Sequence, residues 1–173
     1  MRLHRLFALA GSTLFVAACT PSLDWRQVPL DGTTSSLMPC KPDRVARPVT
    51  VAERTAQGTM WVCDAGGFGW SVTLLRFANE EDAASAVIPV AQALADNLRA
   101  DLPSGGGSPS ADGASRWTLT GRRPDGRPVR AWARFSRQGG QVLQQVVLGP
   151  DPSSLPADAE DSFLRDPQRS GRP

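Results

Sequence analysis

The stretch Arg127-Pro128-Val129-Arg130-Ala131-Trp132-Ala133-Arg134-Phe135-Ser136-Arg137 alternates with a period of two. That period belongs to a strand with two unlike faces. Val129, Ala131, Ala133 and Phe135 form an apolar set that belongs against a core. Arg130, Trp132 and Arg134 form the opposite set. Turn residues flank the stretch, Pro124-Asp125-Gly126 before it and Gly139-Gly140 after it. Residues 116–122 and 141–149 read as further strands, so this half of the chain is a three-strand meander.

Toward the N-terminus, residues 103–115 are rich in Pro, Ser and Gly and read as a flexible connection. Before them a helix is predicted over 80–100. Asn79 is placed to cap it, with Glu80, Glu81 and Asp82 in the first turn. Ala83, Val87, Val90, Leu94 and Leu98 recur at spacings of three and four. Ala84, Ile88, Ala91 and Ala95 widen the stripe to a width suited to lying on a sheet. Pro89 predicts a kink or break near Val87 and Ile88. Residues 58–64 and 68–77 read as a hairpin around Ala65-Gly66-Gly67, with Phe68, Trp70, Val72 and Leu74 on one face and Leu75 on the other. Residues 35–38 and 47–51 read as shorter strands.

Runs of strands around one helix predict an α+β fold, an antiparallel sheet of about five to seven strands packed by one main helix. The chain has 173 residues, 40% hydrophobic and 21% charged, which suits one globular domain. The expected division is a leader at 1–18, a tether at 19–34, the domain at 35–149 and a Pro-rich, mostly disordered tail at 150–173. Within that tail a short helical piece near 159–164 is expected to dock Phe163 and Leu164.

The leader is legible in itself. Arg2 and Arg5 precede a 13-residue apolar run at 6–18, too short for the roughly 20 residues of a spanning helix but suited to a secretory signal. It ends in Val16-Ala17-Ala18-Cys19, which resembles the lipobox of bacterial lipoproteins cut by signal peptidase II. The resemblance implies acylation of Cys19, and Thr20 in place of Asp implies sorting to the outer membrane, facing the periplasm. Losing Arg2 and Arg5 leaves 17 basic residues against 17 acidic ones. A neutral domain in that compartment is not expected to bind nucleic acid.

Composition also restricts the chemistry. The one His, His4, lies in the leader, and there is no Tyr. Ser-His, Cys-His and His-metal sites are therefore excluded from the mature chain. The phosphate-binding and calcium-binding loop motifs are absent as well. No catalytic residue, metal ligand or cofactor is assigned. The alternative to a binding domain is an enzyme, or an enzyme accessory subunit, that uses carboxylates. Asp158, Glu160 and Asp161 are its candidates, against the simpler reading of a solvated acidic tail. Cys40 and Cys63 form an even pair in an oxidising compartment and read as a disulfide. Closing a loop of about 24 residues stabilises by roughly 3 kcal/mol. Trp25 has two readings, docked on the domain or seated at the bilayer interface.

One feature points to binding. Seven arginines, Arg116 to Arg137, fall within 22 residues and only Asp125 opposes them. Their stems can cover the sheet, with Trp132 shielding its cross-strand neighbours. In the other reading Arg130, Trp132 and Arg134 form a cation–π platform for lipid phosphate, lipopolysaccharide or peptidoglycan carboxylates.

Residues 19 to about 77 resemble a family of bacterial lipoproteins of the signal peptidase II type that carries no assigned activity. The resemblance rests on Asp24-Trp25-Arg26, on Pro39-Cys40-Lys41-Pro42-Asp43-Arg44, and on Cys63 ahead of Ala65-Gly66-Gly67. It implies export and the disulfide and adds no chemistry. The expected role is that of a lipid-anchored, non-enzymatic binding or envelope-structural protein. Its partners would be the membrane and an envelope glycolipid, peptidoglycan or another envelope protein.

Overall fold

The alternation at 127–137 is realised in the middle of a large antiparallel sheet. A computed structural model describes residues 22–104, 107–109 and 113–169. The leader and Cys19 lie outside them. In chain order the elements are β1 (Arg26–Pro29), β2 (Thr34–Met38), β3 (Asp43–Val51), β4 (Arg54–Ala65), β5 (Phe68–Arg76), α1 (Glu80–Asn97) and β6 (Ser108–Pro109). They continue with β7 (Ser115–Arg122), β8 (Pro128–Gln138), β9 (Gln141–Pro150), α2 (Ala159–Ser162) and β10 (Gln168–Arg169). Seven strands form one sheet in the order β3-β4-β5-β9-β8-β7-β6. A second sheet runs β1-β2-β10. The architecture is mostly antiparallel β with one main helix. The expected single sheet is thus two, because the tether and the tail each supply a strand to β2.

The large sheet has apolar residues on both faces. On one face Leu75, Phe77, Val129, Ala131, Ala133, Phe135, Val142 and Val146 pack beneath α1. On the other, Trp70, Val72, Leu74 and Val147 pack beneath the small sheet and the C-terminal segment, which contributes Ala159, Phe163 and Leu164. The β5 alternation places Trp70, Val72 and Leu74 opposite Leu75, as its period of two requires.

α1 starts at Asn79, whose side-chain oxygen accepts from the Asp82 amide at 2.8 Å. It runs unbroken through Pro89 to Asn97. A proline interior to a helix costs about 3 kcal/mol, but residues on both sides of Pro89 are buried against the sheet, so the helix continues and the expected break does not occur. The buried stripe is Ala83, Ala86, Val90, Ala91 and Ala95. Ile88 and Ala84, expected to widen the stripe, are exposed. The alanines bring the helix axis close to the strands and rotate the bulkier Val87 and Leu94 to the flanks. At Gly121 the approach is closest: a Cβ there would collide with the Leu98 carbonyl oxygen. The same oxygen accepts from the Arg122 amide at 2.6 Å, so β7 caps the helix end.

β3 and β4 are longer than their sequence signals. They meet in a two-residue turn at Ala52 and Glu53, with φ of 47° and 67°. Hairpin turns of this hand usually carry Asn or Gly, so nothing in the sequence announces it. β3 is the exposed edge, where Arg44, Arg47 and Pro48 discourage pairing with another chain.

Candidate functional site

Arg130, Trp132 and Arg134 do share one face of β8, as the alternation requires. That face is not open to solvent. Residues 151–169, expected to be mostly disordered, cross it and are held at three points, each by an arginine. Arg130 donates to the Ser153 carbonyl at 3.1 Å and pairs with Asp151 at 2.8 Å. Arg116 on β7 pairs with Glu160 and donates to the Leu164 carbonyl at 3.0 Å. Arg134 pairs with Asp166 at 2.5 Å.

Arg134 is wholly buried. Its guanidinium also donates to Gln145 at 3.0 Å and to the Ser136 hydroxyl at 3.1 Å. Gln145, buried and directly opposite on β9, donates in turn to the Phe163 carbonyl. Phe163 itself is fully buried, with its ring edge-on to Trp70 at 5.3 Å. A short segment with few apolar residues becomes ordered because a deep aromatic anchor and three charge-assisted contacts act together. The register explains why acids are needed. Arg116 and Arg134 are cross-strand neighbours, and adjacent like charges are destabilising unless anions separate them.

Trp132 is half-buried between Thr118 and Val147 in the register, with its ring 6.3 Å from Phe68. A guanidinium stacks on an indole elsewhere, at Arg44 over Trp61, 5.8 Å from the ring centre. Beside Trp132 a cavity of about 320 Å³ is lined by Arg116, Trp117, Thr118, Trp132, Glu160 and Leu164. This is the accessible remainder of the Arg–Trp face. Asp158, Glu160 and Asp161 are exposed on and beside α2, and Glu160 is engaged with Arg116. Among the described residues no three His, Cys, Asp or Glu side chains gather closely enough to hold a metal ion.

The N-terminal segment is fixed to the same face. Trp25 meets Trp70 edge-on at 5.7 Å, and the Asp24 amide donates to the Pro39 carbonyl at 2.8 Å. Thus Trp25 docks on the domain. Cys40 and Cys63 are joined in a disulfide, with Cα atoms 6.1 Å apart, and Cys63 stands opposite Trp70 in the sheet. In the β1–β2 turn, burial pushes the Asp31 carboxyl up. Hydrogen bonds from the amides and hydroxyls of Thr33 and Thr34 outweigh it and hold the group below its ordinary value. Asp31 also faces Arg76 at 3.6 Å.

The sequence missed the partner of the arginine cluster. A signal was present: Asp151, Asp158, Glu160, Asp161 and Asp166 follow the cluster with only Arg165 among them. Opposite charge runs in consecutive segments pointed to a contact within the chain. No helix among the described residues is long and apolar enough to cross a membrane. No family model matches the chain, and no curated protein matches it.

Proposed function

We propose that the protein is a lipid-anchored domain of the bacterial cell envelope, acylated at Cys19 and facing the periplasm from the outer membrane. Its role is binding or envelope structure rather than catalysis. The observation that carries the reading is the Cys40–Cys63 disulfide, a bond that persists in oxidising compartments outside the cytosol. The position of Trp25 against Trp70 supports it too, because the tether then leaves the domain from a fixed point.

Export is tested on the full chain expressed in a Gram-negative host. The mature protein should begin at Cys19, carry the mass of the attached acyl chains and show no free thiol. Cys19→Ser should lose the acyl mass and keep the leader of residues 1–18 uncut. An unmodified residue 19 in the parent overturns the reading.

The binding surface in this reading is the hollow beside Trp132 and Arg116, which suits an anionic or sugar-bearing envelope ligand such as a glycolipid or peptidoglycan. Arg130 and Arg134 serve it indirectly, by holding the segment whose Glu160 and Leu164 line it. Trp132→Ala with Arg116→Gln should lower retention on lipopolysaccharide or on peptidoglycan while the disulfide and the membrane fractionation persist. Equal retention by parent and variant removes the hollow from the proposal.

A further inference from the structure

The turns at one end of the large sheet converge on the point from which the tether leaves. Ser22 and Leu23 lie in a hollow of about 410 Å³ with Gly66, Phe68, Leu155 and Pro156. A second hollow of about 510 Å³ shares Gly66 and Phe68 and is closed by Arg123, Arg127 and Pro128. The two form one concave surface made from the β4–β5 turn, the β7–β8 turn and the start of the C-terminal segment. Its floor is Phe68, whose ring occupies the space above Gly149.

Cys19 precedes Ser22 by three residues. A chain spans at most about 3.3–3.6 Å per residue, so the acylated residue lies within roughly 11 Å of Ser22. The membrane surface is therefore brought to this end of the domain, whichever way those three residues run. The β7–β8 turn presents Arg122, Arg123 and Arg127 against one acid, Asp125. Asp125 is taken up by Arg127, its carboxylate 2.6 Å from the guanidinium. Arg122 donates to the Gly126 carbonyl, and no ion pair engages Arg123 among the described residues. Asp64 also lines the surface, and Asp24, next to Leu23, pairs with Arg26. Arg127 remains largely exposed. Lys41 adds a cation at the same end, since its neighbour Cys40 is bonded to Cys63.

Resting on the lipid-anchor reading, we propose that this concave end is a membrane-docking surface. Arg123 and Arg127 bind the phosphate of anionic lipid headgroups, and Leu23, Phe68 and Leu155 face the interface. The acyl chains hold the protein at the bilayer, and this surface sets its orientation. Basic residues next to a lipid anchor are the usual second signal that a single attachment lacks. The domain then stands with its sheet end down. The hollow beside Trp132 and the turn at Ala52 and Glu53 stay clear of the headgroups.

The test uses the mature, acylated full chain in vesicles of phosphatidylethanolamine alone or mixed with phosphatidylglycerol. On the mixed vesicles, amide exchange of residues 64–69 and 122–127 should slow, while that of residues 51–54 should not change. Added salt should reverse the slowing. R123Q/R127Q should shift the docking equilibrium roughly thirtyfold toward the undocked form, from the usual worth of two basic groups at an anionic surface. Should that variant misfold, the salt titration of the parent decides alone. Unchanged exchange on mixed vesicles, with a protein that still floats with them and carries acylated Cys19, overturns the docking and leaves the anchor. A protein that neither floats nor carries the acyl mass overturns the anchor and the docking with it.

Discussion

The large sheet is covered on one face by α1 and on the other by the small sheet together with residues 151–169, and two of these covers, the helix and the C-terminal segment, work by different physics. Beneath α1 the contact is dry. Ala83, Ala86, Ala91 and Ala95 lie against Ala131, Ala133, Val142 and Val146, and the helix supplies its own backbone hydrogen bonds. Its stability comes from area removed from water and from close packing. The other cover is almost without regular structure, four residues of helix and two of strand. It satisfies its backbone partly through arginine side chains that rise from the sheet, at Ser153, Leu164 and, through Gln145, Phe163. A helix needs only a flat apolar surface beneath it, whereas an irregular segment needs donors placed under its carbonyls. That need explains an arginine at the centre of a β-sheet.

The strongest way to break this contrast is to remove the aromatic anchor. Phe163→Ala should cost about 3–5 kcal/mol in urea unfolding and make the chain after Pro150 open to proteases, while α1 keeps its slow amide exchange. A similar cost with no gain in protease sensitivity would show that the segment is held without its anchor. Arg134→Ala comes next, at about 3 kcal/mol, because Gln145 loses a buried donor and Asp166 its partner. Arg134→Met fills most of the same volume but restores no donor, so a Met variant as stable as the parent would mean that packing, and not hydrogen bonding, holds this cover.

On the helix face the expected effects are steric and smaller. Gly121→Ala should cost about 1–3 kcal/mol, since its Cβ meets backbone at the end of α1. The loss should appear as faster exchange in the last turn of the helix, with the C-terminal segment undisturbed. A variant as stable as the parent would show that α1 can shift outward freely, and the account of its alanine stripe would fail.

The smallest effect is a pH dependence in the β1–β2 turn, which supports the C-terminal cover through β2 and β10. The folded state lowers the Asp31 carboxyl below its ordinary value. The stabilisation is therefore complete at neutral pH and is lost as pH falls through the ordinary carboxylate range to the lowered folded value. Asp31→Asn should flatten that acid limb of the stability profile by under about 1 kcal/mol, typical for a largely local turn network. An acid limb of unchanged slope in the variant would place the titration elsewhere.

Much of the helix face was legible because it follows local rules. The capping by Asn79, the alternation of Val129 to Phe135 and the three-strand meander are periodic patterns, and their geometry is set within a few residues. The same rules marked Arg130, Trp132 and Arg134 as sharing the opposite face, which is correct, and left open what lies over it. The β3–β4 turn and the passage of α1 through Pro89 were not legible. Each contradicts a local preference that pairing with neighbouring strands, or packing on the sheet, overrides.

By itself the sequence determined the periodicities, the starting point of the helix and the balance of charge, since each depends only on neighbours along the chain. Only the tertiary structure decided that the arginine face would be closed by the chain's own acidic end, and that Gly66, Phe68, Arg123 and Arg127 would line adjoining hollows near Ser22 and Leu23. Those residues are far apart in sequence. Strand register brings them together, and register is settled by the burial of both faces at once.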